Sequence, residues 1–498
     1  MRSLMIGGFA ALIASVSLAG GHGDAPMQKD SEWFKNAQEV LKQKLAQQPN
    51  MNRAKNVILF IADGNGVGSN YATRLFHGQK NGGFGDENIL PYEQFSNLAL
   101  VKTYNTNAQT PDSAGTGTAM HAGVKTKAGV LGVNDKVVRG DCSTVDGAMV
   151  NNASEIFTKM NKAVGIVSTA RITHATPASV YAHSADRNFE DNSKLPDGCG
   201  QKDIAAQLID AMKDGRIDVA MGGGRRHFIE ADVADEEGKN GKRTDGMNLV
   251  EEAKKLGAQY AWNDKTAGQL KTDGTPILAL FESSHMKYEA DRTGEPSIAE
   301  MTELAIKSLS NNKEGFFLSV ESGRVDHANH DGNAQRMVTD GVAFAEAVAK
   351  AMDMTNPEET LIIVTADHEH AIAFNGYCGR GSPIMGLCYG IDGSGTKHNG
   401  KPVTADDGKP YTVIGYLNGP GSVLKKGDNG YEGSRPDLTN EQAMDIDYLQ
   451  QALIPKSSET HSGEDVAAYA HGPQAHLVNG TIEQNYIFHV IHHAFTAK

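Results

Sequence analysis

Positive charge is in short supply in this chain. Its 498 residues carry 47 Lys and Arg against 61 Asp and Glu, a formal net charge of −14. Without a basic surplus there is little to drive counterion release from a nucleic-acid backbone, so binding of that kind is excluded. Long apolar runs are missing too. Beyond the first twenty or so residues, no stretch approaches the roughly 20 apolar residues that a membrane span needs. Cysteine occurs four times and never as a CxxC pair, which argues against a cysteine-based zinc site. The 55 glycines have no triplet period, which excludes collagen. With 39% hydrophobic residues the chain is also too apolar to remain unfolded. What is left is a soluble, acidic globular protein, long enough for one large domain with insertions or for two domains.

The first residues read as an export signal. Arg2 supplies a short positive start, Leu4 to Leu18 is apolar, and Ser17-Leu18-Ala19 puts small residues where a signal peptidase reads. Residues 1–19 are therefore expected to be removed. No cysteine follows the run, so a lipid anchor is not expected, and the mature protein has no membrane anchor. Residues 20–55 read as a flexible lead over Asp24–Asp30 and an amphipathic helix over Ser31–Gln48, carrying Trp33, Phe34, Val40, Leu41 and Leu45. Export also sets the cysteine chemistry. Cys378 and Cys388 suit a small closed loop in a Gly-rich stretch, which leaves Cys142 and Cys199 for a longer one.

Continuous apolar runs mark the core. Val57 to Ala62, Ala163 to Val167, Gly315 to Val320 and Thr360 to Val364 show no alternation, as strands buried on both faces do. Helical patterns over Ile204–Asp214, Asn248–Leu256, Pro296–Ser310 and Ala334–Asp353 supply crossovers. The expected fold is α/β: a doubly wound, mostly parallel sheet with helices on both faces. Residues 56–370 and 456–498 form its main domain, and the Gly-rich stretch 371–455 reads as an inserted loop-and-strand subdomain. The charged stretch Glu230–Asp245 reads as a solvated loop.

Three of these strands run directly into ionisable residues. The first is followed by Asp63, the third by Glu321, Asp326 and His330, and the fourth by Asp367-His368. Ligands of open α/β sheets bind outside the carboxyl ends of strands, so these side chains converge on one edge. So many acids repel one another unless cations neutralise them. Mixed carboxylate and imidazole donors suit zinc, and an oxygen-only set suits magnesium. Between the strands, Thr110 to Met120 places Ser113 before a run of very small residues, where free helical N–H groups and close backbone approach favour an anion. With no histidine beside it in sequence, Ser113 needs a metal to activate its oxygen.

In these residues the chain resembles the alkaline phosphatases. The resemblance rests on Asp63, the Asp112-Ser113-Ala114 motif, His174-x-Thr176, Tyr181-Ala182-His183 with Arg187, the run Glu321 to His330, Thr365-Ala366-Asp367-His368, and His461-Ser462-Gly463-Glu464-Asp465-Val466. It extends from about Asn56 to His471, and the stretch 371–455 falls where this family carries its variable crown. It implies a phosphate-monoester hydrolase with broad specificity, acting through a phosphoserine on Ser113. Two zinc ions and one magnesium per chain are implied: Asp326, His330 and His461 for one zinc, Asp63, Asp367 and His368 for the other, and Asp63, Thr176 and Glu321 for magnesium. Arg187 would clamp two phosphoryl oxygens, with Asp112 beside it.

His174 and His327 stand where the enterobacterial type of the family has Asp and Lys, as in the animal enzymes. This implies a looser magnesium site and weaker contact of His327 with phosphate. Phe281-Glu282 and Glu295 resemble part of the calcium site of the animal enzymes. The resemblance also implies a homodimer, and export implies the periplasm or release to the medium. A phosphodiesterase or other member of the same metalloenzyme superfamily is the alternative reading.

Overall fold

The computed structural model describes residues 26–498, so the export segment expected over 1–19 lies outside the described residues. The chain divides after Gln48 into two compact units. In the first, Met27–Asp30 is a 3-10 turn rather than a flexible lead, and helix α1 spans Glu32–Ala46 with none of its residues buried.

The second unit is built on a ten-stranded sheet. Its strands are β1 (Asn56–Ala62), β2 (Asn97–Lys102), β3 (Ala163–Arg171), β4 (Val219–Gly223), β5 (Gln259–Ala261), β6 (Ile277–Leu280), β7 (Phe316–Ser322), β8 (Thr360–Ala366), β9 (Val466–His471) and β10 (Gly480–Glu483). They lie in the order β10-β2-β9-β8-β1-β7-β3-β4-β6-β5. Only β9 runs against its neighbours. The uninterrupted apolar runs are explained by burial on both faces. Val57, Leu59 and Ile61 of β1 pack into one hydrophobic cluster, while Ile58, Phe60 and Ala62 pack into another on the opposite side.

Four helices matter for the site: α2 (Ser113–Ala122), α3 (Ala175–Ala178), α4 (Arg324–His330) and α5 (Ala334–Met354). Residues 371–455 leave the large sheet. They contain a three-stranded sheet of Ile372–Phe374, Ile414–Gly419 and Ala452–Pro455, two short antiparallel ribbons, and the single helical turn Asn440–Ala443. The expected disulfides Cys142–Cys199 and Cys378–Cys388 are both formed.

The stretch Glu230–Asp245 is the largely exposed loop its composition suggests, but two of its charges are drawn inward. Asp235 packs its fully buried carboxylate 2.9 Å from the fully buried Arg225 guanidinium. Arg243, 1% exposed in its side chain, pairs with Asp203 at 2.9 Å, and Asp203 in turn caps the helix Ile204–Lys213. The other charged side chains of the segment stay at the surface. Arg243→Met strands the Asp203 carboxylate without its partner and is expected to cost about 3–5 kcal/mol, read as an earlier midpoint of urea unfolding.

Candidate metal centre

Topology delivers the donors. Asp63 follows β1, Asp367 follows β8, and Glu321 sits near the end of β7, three adjacent parallel strands in register at Ala62, Ala366 and Ser322. Because β9 runs the other way, its N-terminal end lies at this same edge, and His461 precedes it by five residues. His461 also pairs across a two-stranded ribbon with His370, just after β8. Helix α4 begins directly beyond β7, and its i, i+4 spacing sets Asp326 and His330 on one face.

The side chains form three groups of donors. In the first, Asp326 Oδ1, His330 Nε2 and His461 Nε2 lie 3.1 to 3.3 Å from one another. In the second, His368 Nε2 lies 3.2 Å from Asp63 Oδ1 and 3.4 Å from Asp367 Oδ2. Ser113 Oγ completes that group, 3.2 Å from His368 Nε2 and 3.4 Å from Asp63 Oδ1. In the third, Asp63 Oδ2, Thr176 Oγ1 and Glu321 Oε1 are all buried without a hydrogen-bond partner. His174 is within ligand reach of Asp63 and Glu321 there.

Orphaned buried oxygens of this kind are costly unless a cation answers them. Burial, then the charges of Asp367, Asp326 and Glu321, drives Asp63 well above the usual carboxylate range. Burial likewise pushes Glu321 up to about 7 and raises Asp367. Burial works against Asp326 too, yet His330, His370 and His461 around it hold it well below that range. Burial keeps the His368 imidazole neutral, as a metal ligand must be. The donor set therefore fits divalent cations: imidazole and carboxylate in the first two groups, mostly oxygen in the third.

Ser113 is the first residue of α2, a helix in which every residue is buried. The small residues have a steric reason. A Cβ on Gly117 would lie 2.7 Å from Ser179 Oγ, and one on Gly115 would lie 2.5 Å from Asn105 Nδ2. Asp112 caps the helix through Oδ1, which accepts from the N–H groups of Gly115 and Gly129 at 3.1 and 2.9 Å. Its Oδ2 accepts from Arg187 Nη1 at 3.1 Å, while Arg187 Nη2 donates to His174 Nε2 at 2.9 Å. Burial disfavours the Asp112 carboxylate, but Arg187 and the two backbone donors outweigh it and hold its pKa below the usual value. The guanidinium is thus fixed on two sides. His327, with a buried and unpartnered Nδ1, packs against His285 and His174 with ring centroids 3.9 and 5.6 Å away.

Sequence reasoning missed His370 and Glu459. His370 Nε2 lies 2.8 Å from Asp326 Oδ1, and its Nδ1 lies 2.5 Å from Glu459 Oε2. Glu459 is itself buried and accepts from the Ala371 N–H at 2.7 Å. Burial opposes the imidazolium, but these two carboxylates raise His370 to about 10. The signal was a period of two. His370 follows His368, and Glu459 precedes His461, each by two residues, beside the ribbon that pairs His370 with His461.

Glu282 and Glu295, which resemble part of a calcium site, lie beside two lysines. Lys239 and Lys287 set their ammonium groups 3.3 and 3.6 Å from the Glu282 carboxylate, and Glu295 accepts from the Lys287 N–H at 2.7 Å. The second oxygen of Glu295, Oε2, is buried without a partner.

The alkaline phosphatase family model matches residues 54–497. The tissue-nonspecific alkaline phosphatase of Gallus gallus is 42% identical over 488 residues, covering 94% of this chain and 90% of its own. The alkaline phosphatase of Thermus thermophilus superimposes with a TM-score of 0.63 at 23% identity, over 91% of this chain and 94% of its own. A histidine-to-glutamate variant of the TAB5 alkaline phosphatase, with Mg bound in its M3 site, superimposes with a TM-score of 0.59 at 23% identity, over 90% and 99% of the two chains.

Proposed function

Since the chain belongs to the alkaline phosphatase family, we propose that it hydrolyses phosphate monoesters by way of a phosphoserine on Ser113. The observation that carries this reading is the position of Ser113 Oγ, at the N-terminus of a buried helix and 3.2 and 3.4 Å from two candidate metal ligands. Asp326, His330 and His461 would hold one zinc ion, Asp63, Asp367 and His368 a second, and Asp63, Thr176 and Glu321 a magnesium ion. When bound, these ions supply Lewis-acid charge to the nucleophilic oxygen, the leaving oxygen and the attacking water.

The chain's own residues do the rest. Arg187, braced by Asp112 and His174, presents a flat pair of donors to two phosphoryl oxygens. The free N–H groups at the start of α2 face the same anion and add a fixed partial positive charge. So held, the phosphorus lies in line with Ser113 Oγ, which attacks as the alcohol departs on the opposite side. Water then attacks the phosphoserine from the side the alcohol left, and inorganic phosphate is released. These contacts concentrate on the phosphoryl group, so the alcohol is weakly discriminated. His174 beside the third group makes that site less of an oxygen cage and loosens its hold on magnesium.

The protein acts after export, in the periplasm or in the medium, as a homodimer, with residues 56–370 and 456–498 as the catalytic domain and 371–455 as its crown. The test is hydrolysis of p-nitrophenyl phosphate between pH 7 and 10, beside bis-p-nitrophenyl phosphate. Turnover of the monoester that rises with pH and needs zinc is expected. Cleavage of the bis-ester alone would place the chain among phosphodiesterases instead.

A further inference from the structure

His121 lies near the C-terminal end of α2, eight residues from Ser113, and is fully buried. The proposed reaction does not use it. Its ring bonds to its own helix and to two other pieces of the fold. Nδ1 lies 2.8 Å from Ser179 Oγ and 3.1 Å from the Gly117 carbonyl, and Nε2 lies 3.0 Å from Ser319 Oγ.

Counting protons fixes the direction of each bond. Ser179 has one hydroxyl proton and donates it to the Thr176 carbonyl at 2.7 Å. Its oxygen must therefore accept from His121 Nδ1–H. That leaves Nε2 as an acceptor, which takes the hydroxyl proton of Ser319. Burial lowers the imidazole to about 4, so the ring stays neutral at neutral and alkaline pH. The relay runs from Ser319 through His121 and Ser179 to the Thr176 carbonyl, and every member of it is buried.

Each end of this relay lies beside a member of the third group of donors. Thr176 carries one orphaned oxygen of that group. Glu321 carries another and follows Ser319 by two residues on β7, which puts both side chains on one face of the strand. The close approach at Gly117 brings α2 against the same place, since a Cβ there would lie 3.4 Å from Thr176 Cα. An apolar side chain at 121 could fill the space, but it would leave the buried Ser319 hydroxyl without an acceptor and Ser179 Oγ without its donor.

We propose that His121 is a positioning residue that locks the nucleophile's helix to the third-site donors Thr176 and Glu321, so that the serine and that metal site keep one geometry. The proposal rests on reading Ser113 as the nucleophile and Asp63, Thr176 and Glu321 as a metal site. It goes beyond that reading by coupling the two through a side chain that touches neither substrate nor metal.

The test compares wild type, His121→Leu, His121→Gln and Ser179→Ala in zinc-loaded protein, with Mn2+ as the third-site probe followed by electron paramagnetic resonance. His121→Leu should weaken Mn2+ binding by about tenfold and lower kcat for p-nitrophenyl phosphate by a similar factor, with KM held within about twofold. His121→Gln, which keeps one donor and one acceptor, should recover most of both. Ser179→Ala cuts the same relay at its hydroxyl and should weaken Mn2+ binding as well, which keeps the test decisive if the leucine variant does not fold. A lower unfolding temperature with Mn2+ affinity and kcat unchanged would reduce His121 to a packing residue and overturn the proposal. If wild type turns over no monoester while Mn2+ still separates it from His121→Leu, the phosphatase reading fails and the coupling stands.

Discussion

Ser113→Ala is expected to lower kcat for p-nitrophenyl phosphate by about 10⁴-fold or more, because no other hydroxyl stands where this one does. The effect should be chemical rather than structural. Among the described residues, Ser113 Oγ is within hydrogen-bond reach only of His368 and Asp63, and the N-terminus of α2 is capped by Asp112, not by Ser113. Alanine is a good helix residue and fits the space, so the unfolding temperature should hold or rise slightly. Two measurements separate the outcomes. Rapid acid quench of wild type during turnover should show a mass increment of one phosphoryl group on the peptide containing Ser113. The variant should show none, while still binding inorganic phosphate through Arg187. Retention of activity within about tenfold would place the nucleophile elsewhere and leave the helix N-terminus as a binding element only.

Most of this site could be read from the chain, for a topological reason. Parallel strands buried on both faces announce themselves as unbroken apolar runs, and whatever follows such a run lies at the carboxyl edge. That rule places Asp63, Glu321 and Asp367 without knowing the order of strands, and β1 does lie between β7 and β8. His461 precedes an antiparallel strand, whose direction composition does not reveal. The family motif, not periodicity, pointed to it. His370 and Glu459 were harder still. They meet only because Glu369–His370 and His461–Ser462 form a two-stranded ribbon closing the segment between them, a pairing of residues about ninety positions apart. In the stretch Glu230–Asp245 the largely exposed loop was legible, but not its two inward pairs. Composition does not reveal that Asp235 turns back onto the buried Arg225 ten residues before it, or that Arg243 reaches Asp203 forty residues away.

Removal of the metal ions is expected to abolish turnover and to lower the unfolding temperature by roughly 10 °C, since each of three ions present at a thousandfold excess over its Kd stabilises by about 4 kcal/mol, or about 4 °C in a chain of this size. The carboxylates explain why the loss should be large and why it should depend on pH. With the donor set alone, burial raises Glu321 from its usual 4.5 to about 7 and also raises Asp63 and Asp367. A carboxyl whose folded pKa is raised contributes its stability below the unfolded value, and that contribution is lost as pH climbs through the folded one. For Glu321 the window runs from 4.5 to about 7. Metal ions displace those protons, so the cations bind more tightly as pH rises across the same window. Asp326 has the opposite shift and is ionised throughout, so it does not offset the trend. Calorimetry of metal-loaded and chelator-treated protein should therefore show a gap in unfolding temperature that is wide at pH 8 and narrows towards pH 5. Equal unfolding temperatures at pH 8 would mean that the buried acids find their compensation within the chain, and the three groups of donors would lose their claim to be metal sites.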